Sequence, residues 1–179
     1  MAIKLNNGCV KLELPDGTVV DILTDVLEEI SRWLQDDALK PESGGYIVGY
    51  QNKDTKNIVL EKVSTPFALD KRSRVHFDMK DVKHKLFLQK AKRNKSYYMG
   101  VWHTHPQSIP TPSSIDWDDW KQTLNEDKTG CDFIFFIIAG TLGTRVWVGD
   151  KNNYSIVEIN ECKKTDGLYI NQIPNNISP

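Results

Sequence analysis

Three observations predict an α/β fold for this sequence. Segments of strand character alternate with three segments whose apolar residues recur at helical spacing. The run CDFIFFIIAG shows little polar alternation, as expected of a central strand covered on both faces. No internal repeat, low-complexity block or second core breaks this order. Residues 1–159 therefore read as a single domain, followed by a polar, Asn-rich tail over 160–179 that is expected to be mobile.

Taken in order, VKLELPDGTVVDILT over residues 10–24 alternates around Pro15-Asp16-Gly17 and reads as a hairpin whose turn is set by Pro and Gly. A helix follows from about Thr24 to Gln35, capped by Thr24 or Asp25, with Val26, Leu27, Ile30, Trp33 and Leu34 on its inner face. Pro41 lies beyond its end. YIVGYQ and NIVLEKVS read as strands separated by a turn at Asn52 to Lys56. Pro66 to Phe77 has poor periodicity and carries Lys71, Arg72 and Arg74, so it is placed in a surface loop together with His76. The second helix is expected from Asp78 to Asn94, with Met79, Val82, Leu86 and Ala91 inward and His84 toward solvent. Tyr97 to His105 is a strand, and Ser114 to about Glu126 a helix with Trp117, Trp120 and Leu124 on one side. After CDFIFFIIAG, TRVWVGD and YSIVEI complete the sheet.

Composition narrows the function classes. With 23 Lys plus Arg against 24 Asp plus Glu, the formal net charge is -1, and the interspersed signs give no field to draw nucleic acid or an acidic membrane. The longest apolar run, Phe133 to Ala139, is far short of the roughly 20 residues of a membrane span. The opening MAIKLNNG lacks the apolar stretch of a signal peptide, so a cytoplasmic location is expected. Cys9, Cys131 and Cys162 show no CxxC spacing and are read as reduced, with Cys131 in the core.

Chemistry concentrates in Trp102-His103-Thr104-His105-Pro106, followed by QSIPTP and Ser113-Ser114-Ile115-Asp116. Histidines two apart on a strand share a face, about 6.6 Å apart at the backbone, close enough for both rings to reach one zinc ion. Thr104, between them, points the other way and is expected to pack. Pro106 ends the strand, Ser113 or Ser114 caps the next helix, and Asp116 falls in its first turn, where its carboxylate can face the strand end. His103, His105 and Asp116 would leave a fourth tetrahedral position for water, as in a catalytic zinc site. Glu42, read from the residues alone, is an ordinary acid at a strand entrance.

The full pattern is His-x-His, seven residues beginning with Pro106, then Ser, two residues and Asp; it resembles the JAMM signature of the JAB/MPN metalloproteases. Upstream, Glu42-Ser43-Gly44-Gly45-Tyr46-Ile47-Val48-Gly49 resembles the family's glutamate before a glycine-containing apolar strand. The resemblance covers about Leu23 to Asp150 and implies a mixed, curved sheet flanked by three helices. It also implies a zinc cofactor on His103, His105 and Asp116, with Glu42 as general base and Ser113 as a donor to the oxyanion. GVWHTHPQSIPTPSSIDWDDW and STPFALDKRSRVHF are most similar to the JAB peptidases of CBASS anti-phage operons. In such operons a fused activating and conjugating enzyme joins the C-terminus of a cyclic-oligonucleotide synthase to a target amine, and the JAB protein reverses that bond. The partners implied are therefore the conjugated C-terminal tail of such a synthase, or of a ubiquitin-like protein, and the fused enzyme itself. The tail is expected to lie beside an exposed strand edge near the zinc, with Lys71, Arg72 and Arg74 as candidate extra contacts.

Two other JAB readings compete: a peptidase that processes or deconjugates another bacterial ubiquitin-like protein, and a catalytically silent MPN scaffold. A silent scaffold is expected to have lost one of the Glu, His, His and Asp positions, and all four are present here. A zinc base deaminase would need His-x-Glu and Pro-Cys-x-x-Cys, both absent.

Overall fold

In the computed structural model, which describes residues 9–162, one nine-stranded mixed sheet forms the frame. Its strands are β1 (Val10–Glu13), β2 (Val19–Ile22), β3 (Gly44–Gln51), β4 (Ile58–Val63), β7 (Tyr97–Thr104), β8 (Phe133–Ala139), β9 (Thr144–Asp150), β10 (Ser155–Glu158) and β11 (Asn160–Glu161). Their spatial order is β10-β9-β8-β7-β3-β4-β2-β1-β11. The pairs β2/β4 and β7/β8 are parallel and the others antiparallel. Two short strands, β5 (Lys71–Ser73) and β6 (His76–Asp78), make a separate ribbon. Helices α1 (Thr24–Ser31), α2 (Lys83–Arg93) and α3 (Ser114–Glu126) complete the described chain. The α/β class, the three helices and the mixed sheet all match the expectation from sequence.

Sheet alternation divides the core in two. Phe135, Ile137 and Ala139 of β8 face one way and join Val26, Leu27 and Ile30 of α1. Ile134, Phe136 and Ile138 face the other way and meet Trp120 and Leu124 of α3, where the Trp120 and Phe136 rings stack at 4.7 Å. β8 is thus covered on both faces, which is why it lacks polar alternation. β7 lies at the centre, between β3 and β8. A register shift in the β3/β7 ladder falls opposite Gly100, whose φ of 144° and close approach to the Phe135 carbonyl exclude a Cβ.

Several boundaries and faces differ from the expectation. α1 stops at Ser31, short of Gln35, and neither Thr24 nor Asp25 caps it: Leu23 holds the N-cap position without a side-chain bond. α2 starts at Lys83, not Asp78, and is rotated from the predicted stripe. His84 and Ala91 are buried, whereas Val82 and Leu86 are exposed. Cys131 is only half-buried at the core margin. The expected loop over Pro66 to Phe77 contains β5 and the start of β6. Asn160–Glu161 pair with Leu12 and Glu13, so the expected tail begins with a strand; residues 163–179, the rest of that tail, lie outside the described residues.

His84 faces inward because its polar atoms are matched there. Its Nε2 lies 2.8 Å from Asp70 Oδ2 and its Nδ1 2.9 Å from Ser64 Oγ, while the rings of Phe67, Tyr46 and Phe77 surround it edge-on. Asp70 also accepts from the backbone N–H groups of Phe67 at 2.7 Å, Lys80 at 3.0 Å and Asp81 at 2.9 Å. Burial pushes the Asp70 carboxyl up, but these N–H bonds and the His84 ring outweigh it and hold the carboxyl below its ordinary value. Its stabilisation is therefore present above the ordinary carboxylate range and lost as pH falls through the depressed value. Asp70→Ala should lower unfolding free energy at neutral pH by about 3 kcal/mol, since it strands several donors at once. Urea denaturation at pH 7 and pH 3 checks this, with the gap between variant and wild type expected to shrink at the lower pH.

Candidate metal centre

The two histidines stand at the carboxyl end of β7, where the chain leaves the sheet. His103 belongs to the strand and pairs with Gly44, while the His105 N–H donates to the Ala139 carbonyl at 3.0 Å and so remains attached to β8. The loop after Pro106 is then fixed to the β8–β9 turn: Thr141 N–H donates to Gln107 O at 2.9 Å and Leu142 N–H to Ser108 O at 3.0 Å. Arg145, bridged to Glu158 at 2.7 Å, donates through Nη1 to Pro110 O at 3.0 Å. A loop rich in proline is thereby held rigid as it enters α3.

At that helix start, Ser113 and Asp116 form a reciprocal capping box. Asp116 N–H donates to Ser113 Oγ at 3.2 Å, and Asp116 Oδ2 accepts from the Ser113 N–H at 2.6 Å and hydroxyl at 2.7 Å. Both carboxylate oxygens also face the histidines: Asp116 Oδ1 lies 3.1 Å from His103 Nε2, and the capping oxygen Oδ2 lies 3.5 Å from His105 Nε2. The two Nε2 atoms are 3.1 Å apart. Donors on a tetrahedron at about 2.0 to 2.1 Å from zinc are separated by roughly 3.3 Å, so these three residues fit such an ion in chemistry and spacing.

Glu42 enters from the neighbouring strand. Because β3 runs antiparallel to β7 with Gly44 opposite His103, Ser43 meets Thr104, and Glu42, two residues before β3, falls on the same face as the histidine pair. One donor atom each from Glu42, His103 and His105 lies within 4.8 Å of the others. At Gly44 a Cβ would sit 2.6 Å from the Trp102 carbonyl and 2.7 Å from the Phe77 ring, which explains a glycine so close to the acid. The five residues expected to form the catalytic and metal site, Glu42, His103, His105, Ser113 and Asp116, thus converge on one cluster lining a cleft of about 570 Å³. The cleft runs between the β5–β6 ribbon, which contributes Val75, His76 and Phe77, and α3, which contributes Ile115, Asp119 and Thr123.

The two carboxylates lie in different fields. Burial pushes Glu42 up to about 7; the nearby His103 lowers it and Asp116 raises it. Burial also raises Asp116, but the His103 ring and the two Ser113 donors overrule it, so this carboxyl is held far below its ordinary value. His105 is lowered, first by burial and next by His103.

Thr104 points away from the cluster, as alternation requires, but it does more than pack. Its Oγ1 accepts from Ser43 N–H at 3.0 Å and donates to Gln35 Oε1 at 3.1 Å. Arg72 departs further from expectation. Its Nε donates to Glu42 O at 2.9 Å and its Nη2 to Ser43 Oγ, so it faces inward and is not a free basic contact in the cleft. Arg74 is engaged with Ala38 O. Both edges of β7 are paired, so the strand edge bordering the cleft is that of the ribbon. The sequence did not reveal Gln35 or the inward turn of Arg72, because their partners lie 29 to 69 positions away along the chain or are backbone carbonyls that no residue pattern marks.

Together, fold and cluster define an α/β domain with a candidate metal centre at the carboxyl end of a central strand. Residues 23–153 match the family described as prokaryotic homologs of the JAB domain, and the chain belongs to that family. A CD-NTase/cGAS isopeptidase of Vibrio cholerae serotype O1 is 28% identical over 136 residues, covering 74% of this chain and 82% of the relative. A CD-NTase/cGAS isopeptidase of Escherichia coli strain TW11681 is 27% identical over 139 residues, covering 76% and 83%. The solution structure of a protein from Desulfitobacterium hafniense shares the fold, with a TM-score of 0.52 at 19% identity over 79% of this chain and 88% of that one.

In the metal-free protein the Glu42 carboxyl should take up its proton near pH 7. A carboxyl whose folded value is raised stabilises the fold below its ordinary value near 4.5, and that contribution is lost as pH rises through about 7. Carbon-detected NMR titration checks the first statement. Denaturation of Glu42→Gln between pH 5 and pH 8 checks the second, since the variant should lose less stability than wild type over that span.

Proposed function

We propose that this protein is a zinc-dependent isopeptidase that cleaves after the C-terminal residue of a conjugated protein in the cytoplasm. We further propose that its substrate is a cyclic-oligonucleotide synthase joined to a target amine by the fused activating and conjugating enzyme of a CBASS operon. The observation that carries this reading is the convergence of Glu42 on His103, His105 and Asp116. The names and coverage of the Vibrio and Escherichia relatives support the substrate class.

His103, His105 and Asp116 would hold the ion, with Asp116 already an anion and the histidine nitrogens turned inward. When bound, zinc supplies Lewis acidity and a water that ionises near neutral pH. Glu42 accepts the proton of the attacking water and delivers it to the leaving amine as the isopeptide C–N bond breaks. Burial pushes this carboxyl upward, which makes it a stronger base than an exposed glutamate and suits it to both steps. Ser113 orients Asp116 through its hydroxyl, and that same O–H donates to the oxyanion once it turns toward the scissile carbonyl.

Protein purified without added metal should contain one zinc per chain, and the double variant His103→Ala, His105→Ala should contain none. Elemental analysis decides this. Glu42→Gln should retain zinc while losing cleavage of a synthase conjugate; loss of zinc in that variant would make Glu42 a ligand and not the base. Ser113→Ala should lower kcat by about 10² to 10³. It should also cost about 1 kcal/mol of stability through the lost cap. A normal rate with a lower Tm would leave Ser113 only its capping role.

A further inference from the structure

The segment carrying Glu42 is gripped from two sides by side chains that never touch the cleft. On the ribbon side, Glu42 N–H donates to Ser73 O at 2.7 Å and Glu42 O accepts from Arg72 Nε at 2.9 Å. Arg72 Nη2 reaches Ser43 Oγ and lies 3.5 Å from Pro41 O, and the guanidinium sits 5.4 Å from the centre of the Trp33 ring. The guanidinium's hydrogen-bond partners among the described residues thus all lie in residues 41–43. On the β7 side, Thr104 N–H donates to Ser43 O at 2.8 Å and Ser43 N–H donates to Thr104 Oγ1 at 3.0 Å. The Thr104 hydroxyl donates a hydrogen bond to Gln35 Oε1, and Gln35 Nε2 donates to Arg74 O at 2.9 Å and Lys40 O at 3.2 Å. The bonds close into a ring: ribbon, Glu42–Ser43, Thr104, Gln35 and back to the ribbon.

We propose that Arg72, Thr104 and Gln35 are positioning residues that fix the Glu42 side chain at its working distance from His103 and His105. The inference rests on the reading of Glu42 as the base. Each member has a chemical reason. Thr104 lies between the two histidines, so its hydroxyl ties the acid's backbone to the very residue that sets both imidazoles. The planar Arg72 fork meets a carbonyl and a hydroxyl in fixed geometry while lying over Trp33, whereas an ammonium group has a single nitrogen and no plane to hold that arrangement. Gln35 must both accept and donate, so neither Glu nor Leu can replace it. A base displaced by about 1 Å can cost on the order of 10²-fold in rate, so a brace outside the cleft is enough to control turnover.

The test compares Thr104→Val, Thr104→Ser and Arg72→Lys with wild type in three measurements: zinc content, kcat and KM on a synthase conjugate, and amide hydrogen exchange at Glu42 and Ser43. Thr104→Val and Arg72→Lys should keep one zinc per chain and KM within about twofold, while kcat falls about 10- to 100-fold. In both variants Glu42 and Ser43 amides should exchange at least about tenfold faster while those of β8 do not change, as loss of local hydrogen bonds opens only the braced segment. Thr104→Ser, which restores the hydroxyl, should recover both properties. Unchanged exchange and kcat in both variants would overturn the proposal, and so would a rise in KM at constant kcat, which would make Arg72 a substrate contact. If wild type itself cleaves no conjugate, the isopeptidase reading fails, and the exchange rates alone then uphold or overturn the brace. Should Thr104→Val not fold, Arg72→Lys carries the same comparison.

Discussion

The exchange of hydrogen bonds between Ser43 and Thr104 is the constraint on which the cluster depends. These residues are 61 apart in sequence and meet where β3 begins and β7 ends. Antiparallel pairing sets Gly44 opposite His103, so Glu42, two positions before β3, emerges on the histidines' face. The period of two then assigns faces: His103 turns toward the cleft and Thr104 away from it. A slip of one residue would reverse both, burying an imidazole in the α1 core and exposing a threonine. The register is guarded against such a slip by Trp102, which is buried and donates its indole N–H to Ser64 O at 2.9 Å.

On this frame, two carboxylates 74 positions apart acquire opposite characters. Asp116 is built into a helix cap whose two Ser113 donors and histidine neighbour favour the anion, whereas burial dominates Glu42 and favours its protonated form. A permanent anion suits a ligand and a group near neutrality suits proton transfer. The division comes from backbone geometry: a residue at a helix N3 position inherits donors, and one at a strand entrance beneath a ribbon inherits burial.

What could be read from sequence followed the range of the interactions. β8 and α3 were legible because local patterns determine them: an unalternating apolar run, and a Ser–Asp cap ahead of Trp117 and Trp120. The His-x-His pair and Asp116 were legible for the same reason, being joined by short offsets in one segment. Glu42 could be named only through the family resemblance, because its proximity to His103 is a product of strand pairing. α2 defeated the periodicity argument because a polar residue, His84, won the inner face from Val82 and Leu86. Its partners, Asp70 and Ser64, lie 14 and 20 positions away, beyond any helical pattern. The ribbon was missed because strands of three residues leave no alternation to detect.

The sheet acts as a plate that separates chemistry from support. Trp120, Phe136 and the histidines lie on the α3 side; Val26, Ile30, Phe135 and the Thr104–Gln35 contact lie on the α1 side. Packing changes on the α1 side can reach the cluster through the groups at the plate's end, Gln35, Thr104 and Ser43, and through Trp33 beneath Arg72. Because those groups are hydrogen-bonded rather than merely packed, a small displacement of α1 meets a stiff directional contact and not a deformable apolar one. The ribbon is held just as firmly from behind, by Asp70 on the His84 network and by Arg72 on the Glu42 backbone. A cleft wall and an acid that share one arginine must move together, so whatever enters between the ribbon and α3 presses on the same backbone that carries Glu42.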